Sequence, residues 1–230
     1  MGQHILQGNP PIAVTVRRSA RARRISLRVS GLDGRVTLTL PAGLPEREGL
    51  EFAREKHGWL HKQLSTRVSE VQIRAGVELP IEGRTLTLAH GTGRRAVVNG
   101  ECLLVPGPRE SIGLRTQSWL KTIARERLVT ASDKYATQLG KPYNRITLRD
   151  TRSRWGSCSS AGGLMYSWRL IMTPPDVLDY VAAHEVAHLQ EMNHSTVFWN
   201  VVETLCPDFE NPRQWLRTNG AALHRFRFDT

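Results

Sequence analysis

Residues 184–188 read His184-Glu185-Val186-Ala187-His188, and no other stretch of the chain restricts the fold so tightly. Two imidazoles four residues apart act together on a helix, where positions i and i+4 lie on one face about a turn apart. There they can share one metal ion, with Glu185 placed to act on a water beside it. The flanking residues predict that helix. Thr173 suits an N-cap, Pro174 the first helical position, and Asp176 completes a Thr-x-x-Asp capping pattern. Leu178, Val181, Leu189 and Met192 supply an apolar stripe, so the expected helix covers about 174–191.

Two histidines do not complete a catalytic zinc site, which takes three protein ligands and keeps an open position. His194 follows His188 by six residues, beyond Met192-Asn193. Asn193 suits a helix terminus, so the chain can turn there and aim His194 back. Glu191 and Glu203 are the rivals. Glu191 comes three residues after His188, where three ligands in a row converge poorly. Glu203 belongs to the next predicted helix, capped by Ser195 and ended by Cys206-Pro207. The need for convergence favours His194 over Glu203. The expected cofactor is Zn2+.

Elsewhere the patterning changes period. Ile25, Leu27 and Val29, then Val36, Leu38 and Leu40, alternate with polar residues around Asp33-Gly34, which predicts a hairpin. Residues 46–65 have helical spacing, with Leu50, Ala53, His57, Leu60 and Leu64. Short strands are expected over 70–105, with Asn99-Gly100 as a turn. Pro106-Gly107-Pro108 marks the best boundary, and a long helix over about 109–139 ends at Gly140. Strands are expected at 145–149 and 163–171. The fold class is therefore α+β. The N-terminal region, 1–106, is mainly antiparallel β with one helix, and 107–230 is a helix-and-sheet domain carrying HExxH. No internal repeat is visible.

Composition excludes more than it selects. Lys plus Arg number 32 against 21 Asp plus Glu, a formal charge of +11, yet the chain is 40% hydrophobic and can build a core. No run approaches the ~18 apolar residues of a membrane helix, so no membrane partner is expected. The first eleven residues lack the design of a secretion signal, and three cysteines without a CxxC pair do not make a disulfide scaffold. A cytoplasmic location is the expectation. Only five of the basic residues are lysine. Guanidinium groups bind carboxylate and phosphate in bidentate fashion, so the arginines raise the question of an anionic partner. Cys158 stands in Gly-Ser-Cys-Ser with no base fixed beside it, and reads as a small buried residue.

The run Arg149-Asp150-Thr151-Arg152-Ser153-Arg154-Trp155-Gly156-Ser157-Cys158, then Ser167-Trp168-Arg169-Leu170, the HExxH run, Asn193-His194-Ser195 and Phe198-Trp199 resemble the YgjP-like metallopeptidase family, a relative of SprT-like zinc proteases. The resemblance extends to Arg23–Val29 and Trp59-Leu60, and so covers most of the chain. It implies a zincin-like half with zinc on His184, His188 and His194 and with Glu185 as catalytic base. It leaves the bond cleaved open, since some members are described as nucleoside triphosphate pyrophosphatases acting on UTP.

Three functions are therefore weighed. The first is a zinc peptidase, with a peptide added to an edge strand near 163–171. The second is a nucleotide phosphoanhydride hydrolase, with arginines on the phosphates. The third is a nucleic-acid-binding protein using Arg17, Arg18, Arg21, Arg23, Arg24 and Arg28, for which no recognition motif is present. In a hydrolase, the positive group that stabilises the oxyanion is sought among Arg152, Arg154 and Arg169, with Tyr166 a weaker candidate. Each arginine could equally pair with Asp150 or Asp176.

Overall fold

Strict alternation in the first third of the chain produces a sheet with one buried face. The computed structural model describes residues 2–30, 34–65 and 69–229. Strands β1 (Gly2–Leu6), β2 (Ile12–Ser19), β3 (Ser26–Val29) and β4 (Val36–Pro41) form a sheet in the order β1-β2-β4-β3. Ile12, Val14, Val16, Val36, Leu38 and Leu40 all point to one core, shared with Ala53 and Leu60 of the helices that follow. The expected β3–β4 hairpin forms, although Asp33 of its turn lies outside the described residues. The single helix expected over 46–65 is two, α1 (Glu46–Glu55) and α2 (His57–Ser65), separated at Lys56.

The other face of this sheet is polar by register. Thr37 is flanked by Thr15 and Arg28, and Thr39 by Arg17 and Ser26. Arg18 leaves this set, because it donates to the carbonyl oxygens of Ala42 and Leu44 at 3.0 and 2.7 Å. These elements make one compact unit, Met1–Ser69, and the rest of the chain a second, Glu70–Thr230. Pro106-Gly107-Pro108 therefore lies inside the second unit, where it joins a strand to a helix.

The second unit opens with β5 (Val71–Gln72), β6 (Glu78–Ile81), β7 (Arg84–Gly91), β8 (Val97–Asn99) and β9 (Cys102–Pro106). The last four form a sheet in the order β6-β7-β9-β8. Its central pair is parallel and its outer pairs antiparallel, as in the first sheet. The two units thus share a strand order that no sequence repeat announces. Side-chain alternation and turn geometry set the pairing, and both tolerate wide substitution.

Helix α3 (Ile112–Leu139) runs as expected and ends on Gly140 in the left-handed conformation, φ 68. A three-stranded sheet follows, made of β10 (Arg145–Arg149), β11 (Gly156–Cys158) and β12 (Gly163–Ser167), in the order β10-β12-β11. The expected strand over 163–171 is shorter, because Trp168–Met172 coil into a 3-10 turn. Helices α4 (Pro175–Ala187), α5 (Thr196–Leu205) and α6 (Glu210–Asn219) complete the unit, with β13 (Phe226–Arg227) pairing β5. The architecture is α+β. No helix among the described residues is long and apolar enough to cross a membrane. Cys102, Cys158 and Cys206 are free thiols.

Candidate metal centre

Helix α4 is held by packing more than by its cap. Leu178, Val181, Ala182, Ala183, Val186 and Ala187 are all buried in one core with α3. The expected Thr173 cap does not form. Thr173 closes the preceding 3-10 turn, with its hydroxyl on the Leu170 carbonyl at 2.7 Å, and Pro174 takes the N-cap position without a side-chain bond. Two successive prolines need no capping of their missing N–H groups, so the cap is dispensable. The helix also stops earlier than 191, at Ala187, and His188 is its C-cap. The second histidine therefore stands at the helix end, where the chain turns.

That turn delivers the third histidine. Asn193 Oδ1 accepts from the Ser195 amide at 3.0 Å, and Asn193 Nδ2 donates to Glu191 Oε1 at 2.6 Å. Ser195 then caps α5, accepting from the Phe198 amide at 3.3 Å. Between these two bonded turns His194 is aimed back at α4. Its Nε2 lies 3.1 Å from His184 Nε2. His184, His188 and His194 each offer a ligand atom, and these atoms lie within 4.8 Å of one another. Glu191 is spent on Asn193 and Glu203 is outside the cluster.

Three features prepare these imidazoles for a cation. His188 Nδ1 lies 3.0 Å from the Glu191 carbonyl oxygen. A carbonyl only accepts, so Nδ1 carries the proton and Nε2 keeps its lone pair. Burial pushes His184 down to about 3, aided by the neighbouring His188 and His194, and burial also lowers His188. Both are therefore neutral at pH 7, the form that binds metal. Phe198, fully buried, packs against all three rings at centroid distances of 4.9, 4.4 and 4.8 Å. It forms an apolar floor that keeps the rings from relaxing apart.

Glu185 lies against β11. A Cβ at residue 156 would overlap Glu185 Oε1 and stand 2.5 Å from its Cγ, so only glycine fits there. Burial pushes the Glu185 carboxyl up to about 8, opposed by the charge of Arg154. A carboxyl in that range can both take and give a proton near neutrality. Cys158, next to it on the strand, is pushed up to about 11 by burial and stays a thiol, in keeping with a structural role.

The basic candidates separate. Arg169 is 5% exposed and fully engaged. It grips Asp150 through Nε and Nη2 at 2.7 and 3.1 Å and donates from Nη1 to the carbonyls of Leu223 and Phe226 at 3.0 and 3.2 Å. Four of its five N–H donors are committed within the protein, so the substrate-binding expectation for Arg169 is corrected to a structural one. Tyr166 is corrected likewise: it is fully buried and its hydroxyl bonds Ser132 Oγ at 3.0 Å. Arg152 and Arg154 are exposed, and Arg154 acts electrostatically on Glu185. The edge-strand expectation also moves. β12 is the central strand of its sheet, and the edges are β10 and β11.

Two functional candidates escaped the sequence reading. A cleft of about 560 Å3 opens on His184 and His194, and α6 contributes Arg213, Leu216 and Arg217 to it. Their i, i+3, i+4 spacing was the available signal. Trp155 and Trp199 are cleft walls, while Trp168 is core.

The model of the YgjP-like metallopeptidase domain matches residues 23–219. No curated protein matches the chain. Among solved structures, the chain is similar to the metallopeptidase zymogen of Pyrococcus abyssi abylysin, at 20% identity over 41% of this chain and 93% of that one, with a TM-score of 0.32. The family match spans most of the chain and includes all three histidines and Glu185, so this chain belongs to the YgjP-like metallopeptidase domain family and is a metal-dependent hydrolase.

Proposed function

We propose that the chain is a zinc peptidase in which His184, His188 and His194 hold the ion and Glu185 moves the proton. The observation that carries this is the convergence of three imidazoles, with the tautomer of His188 preset by the Glu191 carbonyl. A tetrahedral zinc with N–Zn of about 2.0–2.1 Å separates its ligand nitrogens by about 3.3 Å. The 3.1 Å between His184 Nε2 and His194 Nε2 is close to that value. An all-nitrogen donor set suits a borderline-soft divalent ion better than magnesium or calcium. Zinc, when bound, polarises the scissile carbonyl and lowers the pKa of water toward about 7.

The protein's own groups do the rest. Phe198 and the Glu191 carbonyl keep the three rings in place. The Glu185 carboxylate accepts a proton from the attacking water and returns it to the leaving nitrogen, which its near-neutral pKa permits. Gly156 lets β11 approach that carboxylate closely, and β11 is a sheet edge. An extended substrate can add to that edge and lie across the histidines. Arg154 is the exposed cation nearest in effect to Glu185 and is assigned to the developing oxyanion. The commitment of Arg169 to Asp150 and to main-chain carbonyls leaves fewer arginines for a triphosphate, which favours the peptidase reading.

The test is to measure bound metal and turnover together. The expectation is about one zinc per chain, as in mononuclear catalytic sites, cleavage of unfolded casein, and loss of that cleavage in Glu185→Gln with zinc retained. Pyrophosphate release from nucleoside triphosphates with casein left intact would overturn the peptidase reading.

A further inference from the structure

The cleft beside the histidines holds two arginines that the fold does not use. Arg213 and Arg217 lie one turn apart on α6, with Leu216 on the same cleft-facing side. Neither makes an ion pair or hydrogen bond among the described residues, and no carboxylate lines the cleft. Arg213 is held by stacking instead. Its guanidinium carbon lies 4.2 Å from the centre of the Trp199 ring. Stacking occupies one face of the planar group and leaves the N–H donors on its edge, in the fork that matches a carboxylate.

Trp199 is also the link to the metal centre. Its ring lies 5.7 Å from that of His184 and 6.0 Å from that of His194. The Arg213 guanidinium is thus no more than about 10 Å from the His194 ring, a span that an extended peptide crosses in about three residues at ~3.4 Å each. Trp155 and Tyr180 complete the wall and offer apolar surface to the residues between.

We infer that Arg213, with Arg217 beside it, forms an anion subsite that selects peptides bearing an acidic side chain within about three residues of the bond cut. The inference rests on the peptidase reading and supplies its substrate class. A Glu or Asp carboxylate would take the edge of the Arg213 guanidinium in a charge-assisted, bidentate bond, while a Lys or Arg there would be repelled. The more exposed Arg217 adds a second, better-screened charge.

The experiment uses metal-loaded full chain and peptide pairs that differ only by Glu or Gln near the cleaved bond. Wild type should favour the Glu peptide in kcat/KM by roughly tenfold or more, as loss of one charge-assisted bond requires. In Arg213→Gln that ratio should fall toward one, and in Arg217→Gln part of the way. Reading a ratio removes any effect of the substitutions on folding or metal content. Equal cleavage of the pair by wild type, or an unchanged ratio in Arg213→Gln, overturns the inference. If no peptide is cut, the peptidase reading fails by itself. Calorimetric binding of the same pairs to metal-loaded Glu185→Gln then decides the subsite: tighter binding of the Glu peptide sustains it, and equal binding removes it.

Discussion

Two arginine–tryptophan pairs, one in the core and one at the rim of the metal cleft, use the same residue types for opposite ends. In the core, Arg169 lies over Trp168 at 4.6 Å and is enclosed by Asp150 and two carbonyls. At the rim, Arg213 lies over Trp199 at 4.2 Å and makes no hydrogen bond or ion pair among the described residues. The stacking is alike; the remaining donors are not. A guanidinium withdrawn from water needs partners for its charge and all its N–H groups, so burial forced the fold to supply them. At the rim, water does that work until a solute replaces it. An arginine in a sequence motif is therefore structural or functional according to its burial, not its neighbours in the chain.

Substitutions can break or sharpen this contrast. The largest effect is expected at the metal ligands. His188→Ala should leave the protein folded but without stoichiometric metal and without hydrolysis, as read by metal analysis and peptide turnover. Retention of the ion would show that the three rings are not one site. Next comes the buried arginine. Arg169→Ala strands Asp150 and two carbonyls and should cost about 3 kcal/mol in urea unfolding. A loss below about 0.5 kcal/mol would erase the difference between Arg169 and a surface arginine.

Gly156→Ala should follow, because the added methyl collides with the Glu185 carboxyl. We expect about 1–3 kcal/mol of destabilisation from overpacking and a drop in turnover larger than the drop in bound metal. Unchanged turnover would mean that the position of Glu185 is not critical. The smallest stability change is expected at the rim, where Arg213→Gln should shift unfolding by no more than about 0.5 kcal/mol. A shift comparable with that of Arg169→Ala would make Arg213 a structural residue after all.

Much of the site was legible because its signals are local. The i, i+4 histidines, the Ser195 cap and the alanines of α4 act within a turn or two of helix, where spacing alone dictates geometry. The end of α4 was misjudged because Leu189 and Met192 continue the apolar stripe, whereas the chain turns at His188 to satisfy its carbonyls and to bring His194 round. The same reach beyond local pattern hid β11. Three residues in a polar loop make a strand only because β12 lies alongside. The shared order of the two four-stranded sheets was equally invisible, since pairing depends on alternation and not on residue identity.

By itself the sequence determined the three histidines, the glutamate between the first two, the α+β class and the membership that these residues signal. Each is encoded in residue types at short, fixed separations. Only the tertiary structure decided which arginines remain available. Arg169 is consumed by groups more than fifty residues away, at Leu223 and Phe226, while Arg213 reaches the cleft on α6, the second helix after the last histidine. Whether a charge is neutralised depends on what is packed around it, and contacts between distant segments set that.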